Sequence, residues 1–189
     1  MKTVKVRKIV ITQQKSALIV IDLQNDFTLE NGKAHACTTQ VDRLIPVVNK
    51  LSKQFIEKQQ DVVYIQTEWS NPLVKLLTGN SVAKGTKGAE FDSRLKIVSN
   101  NIFTKGNRNI FSSSEFVKFL QTNSIAHLYL VGLATDYCIK VSAEHAIANG
   151  YGVTVVRDAV AAYKCGNFEK SLQVLSSKNV VVVESADIT

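Results

Sequence analysis

Cys138 is the residue whose setting in this chain most suggests covalent chemistry. It follows the apolar run Leu128-Tyr129-Leu130-Val131 and Gly132, and opens a stretch whose smaller inward candidates are Cys138, Val141, Ala143 and Ala146. The run reads as a short strand buried on both faces, and Gly132 lets the backbone turn after it. Thr135 or Asp136 can cap the helix that begins there, with Cys138 in its first turn. A helix N-terminus carries partial positive charge and unpaired N–H groups, so it lowers a thiol's pKa and can also hold an oxyanion. The competing reading is a packed thiol, since cysteine is among the most commonly buried residue types. A carboxylate stands in a comparable place. The continuously apolar run from Ala17 to Ile21 ends in Asp22-Leu23-Gln24-Asn25-Asp26-Phe27, at the carboxyl end of a strand, where open α/β sheets place their ligands. Asp22 there can serve as a base or can pin the loop, and both readings stay open on this stretch alone.

The elements that must position these groups alternate along the chain. After the first strand, Val41, Leu44, Ile45, Val48, Leu51, Phe55 and Ile56 recur at helical spacing over residues 40–59. A second buried strand follows at 62–66 and leaves Thr67-Glu68-Trp69-Ser70 at its carboxyl end. Apolar residues at 102–104 precede Lys105, Ser112 to Ser114 open a helix from Glu115, a strand lies at 153–156, a helix at 168–175 and a last strand at 180–183. Residues 157–162 are expected to leave their strand toward the pocket. Strands alternating with helices, without repeats or low-complexity linkers, predict a three-layer α/β/α fold with a central, mostly parallel sheet. One domain over 1–189 is expected, with 1–15 as an N-terminal arm or edge strand.

Composition narrows the function classes. The 189 residues are 45% hydrophobic and 21% charged, an ordinary globular balance. The net charge of +7 is scattered along the chain, so nucleic acid is not the expected partner. No apolar run reaches the roughly 20 residues that cross a bilayer and no signal segment opens the sequence, which makes a membrane partner unexpected and the cytoplasm the default location. Cys37, Cys138 and Cys165 are odd in number and widely spaced, which argues against a disulfide framework and for a reducing compartment.

Gly-Leu-Ala-Thr-Asp-Tyr-Cys, ending at Cys138, resembles the nucleophile segment of the isochorismatase-like cysteine hydrolases, whose members include nicotinamidases, N-carbamoyl amidases and isochorismatases. Ile-Asp-Leu-Gln-Asn-Asp-Phe, from Ile21, is similar to the superfamily's first motif, and Gly-Thr-Lys-Gly-Ala-Glu, from Gly85, to a further element. The resemblance implies a triad of Asp22 as general base, Lys105 and Cys138, with Asp26 structural. It also implies a cis peptide between Leu133 and Ala134, and an oxyanion hole formed by the N–H groups of Ala134 and Cys138. Without the resemblance, Lys105 would pass for a surface lysine snorkelling from the fold. Phe27, Trp69 and Tyr137 are the candidate substrate-binding residues.

The activity implied is hydrolysis of a carbon–nitrogen bond in a small amide or carbamoyl substrate through a thioester. Nicotinamidase proper, an isochorismatase-type hydrolase and a non-catalytic binding protein are the alternatives. A homo-oligomer is implied as well. Nicotinamidases usually carry an Asp-Trp-His element where this chain has Glu68-Trp69-Ser70, and His35, His127 and His145 do not stand in the required relation to Glu68. No metal and no other cofactor are therefore expected.

Overall fold

The computed structural model describes residues 15–188. The expected N-terminal arm or edge strand lies outside these residues apart from Lys15, which begins β1 (Lys15–Ile21). From Ala17 to Ile21 every β1 side chain is inaccessible to solvent, as the unbroken apolar pattern requires of a strand covered on both faces. Leu18 and Val20 pack with Val41, Leu44, Val48 and Leu51 of one covering helix. Ala17, Ile19 and Ile21 point the other way, into a cluster with Phe116, Leu120, Ile139, Ala143 and Leu172. The period-2 alternation of a strand thus assigns successive residues of one apolar run to two separate cores.

Among the described residues six strands form one sheet. To β1 the chain adds β2 (Asp61–Thr67), β3 (Ile102–Lys105), β4 (Ile125–Leu133), β5 (Gly152–Ala161) and β6 (Val181–Val183). Their order across the sheet is β3-β2-β1-β4-β5-β6, and every pairing is parallel. The first three strands progress toward one edge and the last three toward the other. The reversal falls between β1 and β4, whose carboxyl ends therefore border a crevice that no crossover fills. A short helix, α1 (Asn25–Thr28), follows β1, and α2 (Thr38–Glu57) covers one face of the sheet. After α3 (Pro72–Leu77), the helices α4 (Ser114–Thr122), α5 (Cys138–Ala148) and α6 (Phe168–Ser176) cover the other face.

Local signals set several boundaries. Ser113 caps α4 by accepting from Phe116 N–H, and Asn71 caps α3 with Pro72 in the first turn, a position where the missing proline N–H costs nothing. The cap expected for α5 differs. Tyr137 stands at the N-cap without a side-chain hydrogen bond, because the Asp136 carboxylate is drawn to Tyr163 N–H (2.8 Å) and Asn167 Nδ2 (2.9 Å). Residues 157–161 remain in β5 instead of departing from it. Register passes from Leu130 opposite Val155 to Gly132 opposite Val160, so β5 bulges and then resumes. Ala161 O accepts from Thr135 N–H, and the chain reaches the pocket only at Tyr163.

The cysteines overturn the expectation of no disulfide. Cys37, at the N-cap of α2, is bonded to Cys165, in the turn after β5, with the two Cα atoms 4.9 Å apart. Their separation of 128 residues hid the pairing. Only the fold lays the start of α2 against the end of β5, where Cys37 N–H also reaches Ala162 O and Gln40 Oε1 accepts from Ala162 N–H. The argument for a reducing compartment from unpaired cysteines loses its basis. Denatured without reductant, the protein should titrate one thiol with Ellman's reagent, and three after reduction. A crosslink over so long a loop stabilises by about 5 kcal/mol on chain entropy alone, so Cys37→Ala should lower the melting temperature by roughly 10 °C.

Candidate active site

The end of β1 carries Asp22, whose backbone takes the left-handed conformation, φ 58°, an uncommon one for a residue other than glycine. That turn aims the carboxylate along the carboxyl edge of the sheet. Two strands away, β3 ends at Lys105, which is 1% exposed, so it is not a surface lysine. Its Nζ lies 2.9 Å from Asp22 Oδ2 and 3.4 Å from Cys138 Sγ. Asn107 O and the hydroxyl of Thr67, at the end of β2, complete its surroundings. Thr67 Oγ1 in turn donates to Asp22 Oδ1 at 2.9 Å. Each of β1, β2 and β3 contributes its final or next residue to one small network.

Gln24 holds that network to the loop behind it. Its side chain accepts from Thr67 N–H (2.7 Å) and donates to Thr67 O (2.9 Å) and Ala89 O (2.7 Å), wholly buried. Asp26 pins neighbouring loops: Oδ2 accepts from Val82 N–H at 2.7 Å and Oδ1 from Lys33 N–H at 3.3 Å. Gly88 passes so close that a Cβ there would fall 2.1 Å from the Asp26 carboxylate. Asp26 is thus structural, as expected.

Across the switch point, β4 leads through a cis Leu133-Ala134 bond into α5, with Cys138 as its first residue. Among the described residues neither Ala134 N–H nor Cys138 N–H has a protein acceptor, while the flanking Thr135, Tyr137 and Ile139 N–H groups are all satisfied. Cys138 opens onto a cavity of about 390 Å³ whose floor is Asp22, Lys105 and Cys138. Phe27, Trp69 and Tyr137 all line it, and so do Thr67, Tyr163 and Arg108.

One electrostatic expectation is reversed. A helix start beside a lysine suggested a depressed thiol pKa, but the Cys138 thiol is pushed up to about 12. Burial is the largest cause and the Asp22 carboxylate the next, and together they outweigh Lys105. Burial also works against the Lys105 ammonium, yet Asp22 and the sulfur more than offset it and hold Lys105 above the usual lysine value. Burial thus favours the neutral form of the Cys138 thiol.

A model of the isochorismatase domain matches residues 16–187, nearly the whole chain. The chain belongs to the isochorismatase family. It is 29% identical to a nicotinamidase of Acinetobacter baylyi, over 91% of this chain and 94% of that one. A relative from Arabidopsis thaliana named "Probable inactive nicotinamidase" is 31% identical over 79% of this chain and 82% of its own. Among solved structures, the pyrazinamidase of Pyrococcus horikoshii in complex with zinc superposes with a TM-score of 0.77 and 27% identity, covering 90% of this chain and 99% of that one. This isochorismatase-family protein is accordingly a hydrolase with amidohydrolase relatives.

A zinc site like that of a metal-bound relative needs a converging set of nitrogen and oxygen donors. Among the described residues no three His, Cys, Asp or Glu side chains converge. His127 bonds Thr154 near the amino end of β4, His145 packs on Phe111, and His35 faces Gly32 O. The residues present do not fit a bound zinc.

Because Asp22 helps hold the thiol neutral, Asp22→Asn should leave Lys105 unopposed and increase the thiolate fraction of Cys138. Iodoacetamide alkylation at pH 7 should then quicken by about ten-fold or more relative to wild type, one pKa unit being a factor of ten. The wild-type alkylation rate should keep rising with pH beyond 9. A plateau below neutrality would contradict the assigned electrostatics.

Proposed function

We propose that this hydrolase cleaves the carbon–nitrogen bond of a small amide or carbamoyl compound through a thioester on Cys138, with Asp22 as general base and acid and Lys105 as the electrostatic partner of both. The observation that carries the reading is the spacing on the cavity floor: Lys105 Nζ within 2.9 Å of the Asp22 carboxylate and 3.4 Å of the Cys138 sulfur.

A substrate carbonyl placed above Cys138 changes the balance that keeps the thiol protonated. Asp22 takes the thiol proton, the sulfur bonds to the carbonyl carbon, and the carbonyl oxygen becomes an oxyanion. The free N–H groups of Ala134 and Cys138 supply its stabilisation, which is worth most in a site already oriented toward the developing charge. Asp22 returns the proton to the substrate nitrogen, the carbon–nitrogen bond breaks and ammonia or an amine departs. Asp22 then takes a proton from water, hydroxide adds to the thioester carbonyl, and collapse breaks the carbon–sulfur bond to release the acid while Asp22 returns that proton to the departing sulfur, regenerating the thiol. Lys105 remains charged throughout and holds whichever anion, carboxylate or sulfur, the step produces. Phe27, Trp69 and Tyr137 supply apolar walls that exclude bulk water and bind a small substrate.

No step passes through a metal, and without the nitrogen donors of a zinc site a pyridine ring has no anchor of that kind. Nicotinamide should consequently be turned over more slowly than a better-held amide. Dialysis against a chelator should leave ammonia release unchanged, and metal-dependent recovery would restore nicotinamidase as the first choice. Cys138→Ala should abolish ammonia release, and quenching wild type during turnover should give an acylated enzyme in intact-mass spectra. Asp22→Asn, despite faster alkylation, should lose about three orders of magnitude in kcat. Normal turnover by either variant would overturn the triad.

A further inference from the structure

Thr67 has no part in the scheme above, yet it touches both charged members of the triad. The parallel register sets it opposite Lys105, the last residue of β2 beside the last of β3, and it is buried. Gln24 grips its peptide groups on both sides, accepting from Thr67 N–H and donating to Thr67 O. The side chain itself is β-branched and stiff about χ1. A threonine so held keeps one freedom, the direction of its hydroxyl hydrogen, and the neighbouring charges decide that direction.

An ammonium can only donate. Thr67 Oγ1 therefore accepts from Lys105 Nζ, and its single hydrogen is left for Asp22 Oδ1, 2.9 Å away. Lys105 is committed in a similar way. Four groups surround its Nζ: Thr67 Oγ1, Asn107 O at 3.1 Å, Asp22 Oδ2 at 2.9 Å and Cys138 Sγ at 3.4 Å. Three hydrogens must serve them. Thr67 and Asn107 O are neutral and fixed, Asn107 by its own side chain, which accepts from Asn109 N–H at 2.7 Å. Two hydrogens are thus engaged, and the third lies between the two groups that can carry negative charge, the carboxylate and the sulfur.

We infer that Thr67 is a positioning residue that dictates which oxygen of Asp22 receives the thiol proton. Because Oδ1 already receives the Thr67 hydrogen, the proton from Cys138 goes to Oδ2. The S–H bond breaks, an O–H bond forms at Oδ2, and the negative charge facing Lys105 passes from oxygen to sulfur. The third ammonium hydrogen then turns to the sulfur, while Thr67 and Asn107 O keep the ammonium in place. Without the hydroxyl, the carboxylate can rotate about its Cβ–Cγ bond and take the proton at either oxygen. This inference rests on the proposed scheme for Asp22 as the base of Cys138. It needs only the proton transfer that any acyl transfer to the sulfur shares, and not an amide nitrogen as the leaving group.

p-Nitrophenyl acetate isolates that transfer from amide cleavage, because p-nitrophenolate leaves the acyl carbon without needing a proton. Thr67→Val should lower kcat for nitrophenolate release by about ten- to hundred-fold, the scale set by a misaligned reacting group, and leave KM within about two-fold of wild type. Thr67→Ser keeps the hydroxyl and should recover most of the wild-type rate. Thr67→Ala is a second hydroxyl-free variant, and melting temperatures establish that each protein folds. Equal losses in the Val and Ser variants, an unchanged rate in folded Thr67→Val, a loss confined to KM, or failure of both hydroxyl-free variants to fold would overturn the inference. So would wild-type release no faster than that of Cys138→Ala. Ammonia release reports separately. Nitrophenolate release that follows the hydroxyl, with no ammonia from any amide, would overturn the amidohydrolase reading and leave the role of Thr67 standing. Normal ammonia release by both hydroxyl-free variants would do the reverse.

Discussion

The Asp22–Lys105 ion pair is the constraint around which the site is built. Both side chains are almost wholly withdrawn from solvent, and taking two charges out of water costs several kcal/mol per ion unless each finds its opposite and its remaining hydrogen bonds. Thr67 meets part of that demand by accepting from the ammonium and donating to the carboxylate. The pair cannot be halved cheaply. Removing Lys105 alone would strand a buried carboxylate, at about 3–5 kcal/mol. The group that neutralises Asp22 in the fold also lies beside the Cys138 sulfur.

Around that floor the walls are tied down by different means. Asp26 gathers the loop at Lys33 and the loop at Val82 through its two oxygens. The Cys37–Cys165 bond joins the segment entering α2 to the turn that carries Tyr163. Neither device touches Asp22, Lys105 or Cys138. A loop region that binds ligand is usually the least stable part of a fold, and these ties restrict it without adding bulk to the cavity.

Much of the fold was legible because the physics was local. A strand buried on both faces must be apolar at consecutive positions, and the 17–21 run is; a helix covering a sheet must be apolar at a period near 3.6, and Val41 to Phe55 is. The positions of Asp22 just after a strand and of Cys138 at a helix start followed from the same patterns. Lys105 was a different matter: its tetrapeptide context is that of a snorkelling lysine, and only resemblance to a family singled it out. Thr67 and Gln24 carried no local sign of their roles, since their partners lie 38 to 65 residues away. The disulfide was misread for the same reason. The thiol's electrostatics failed on a balance of competing terms, because the sequence reveals a helix start but not how deeply the sulfur is buried or how near a carboxylate lies.

Gly132 sets a clearance on which the floor relies. Its φ of +102° is one that side chains rarely adopt, and a Cβ there would sit 2.1 Å from the carbonyl oxygen of Ile21, the residue just before Asp22. A methyl group at 132 would therefore act as a wedge between the two central strands, driving apart the backbones that deliver the acid and the thiol. The spacing of Asp22 and Cys138 across the central strands is gauged, in this molecule, by the absence of one carbon atom.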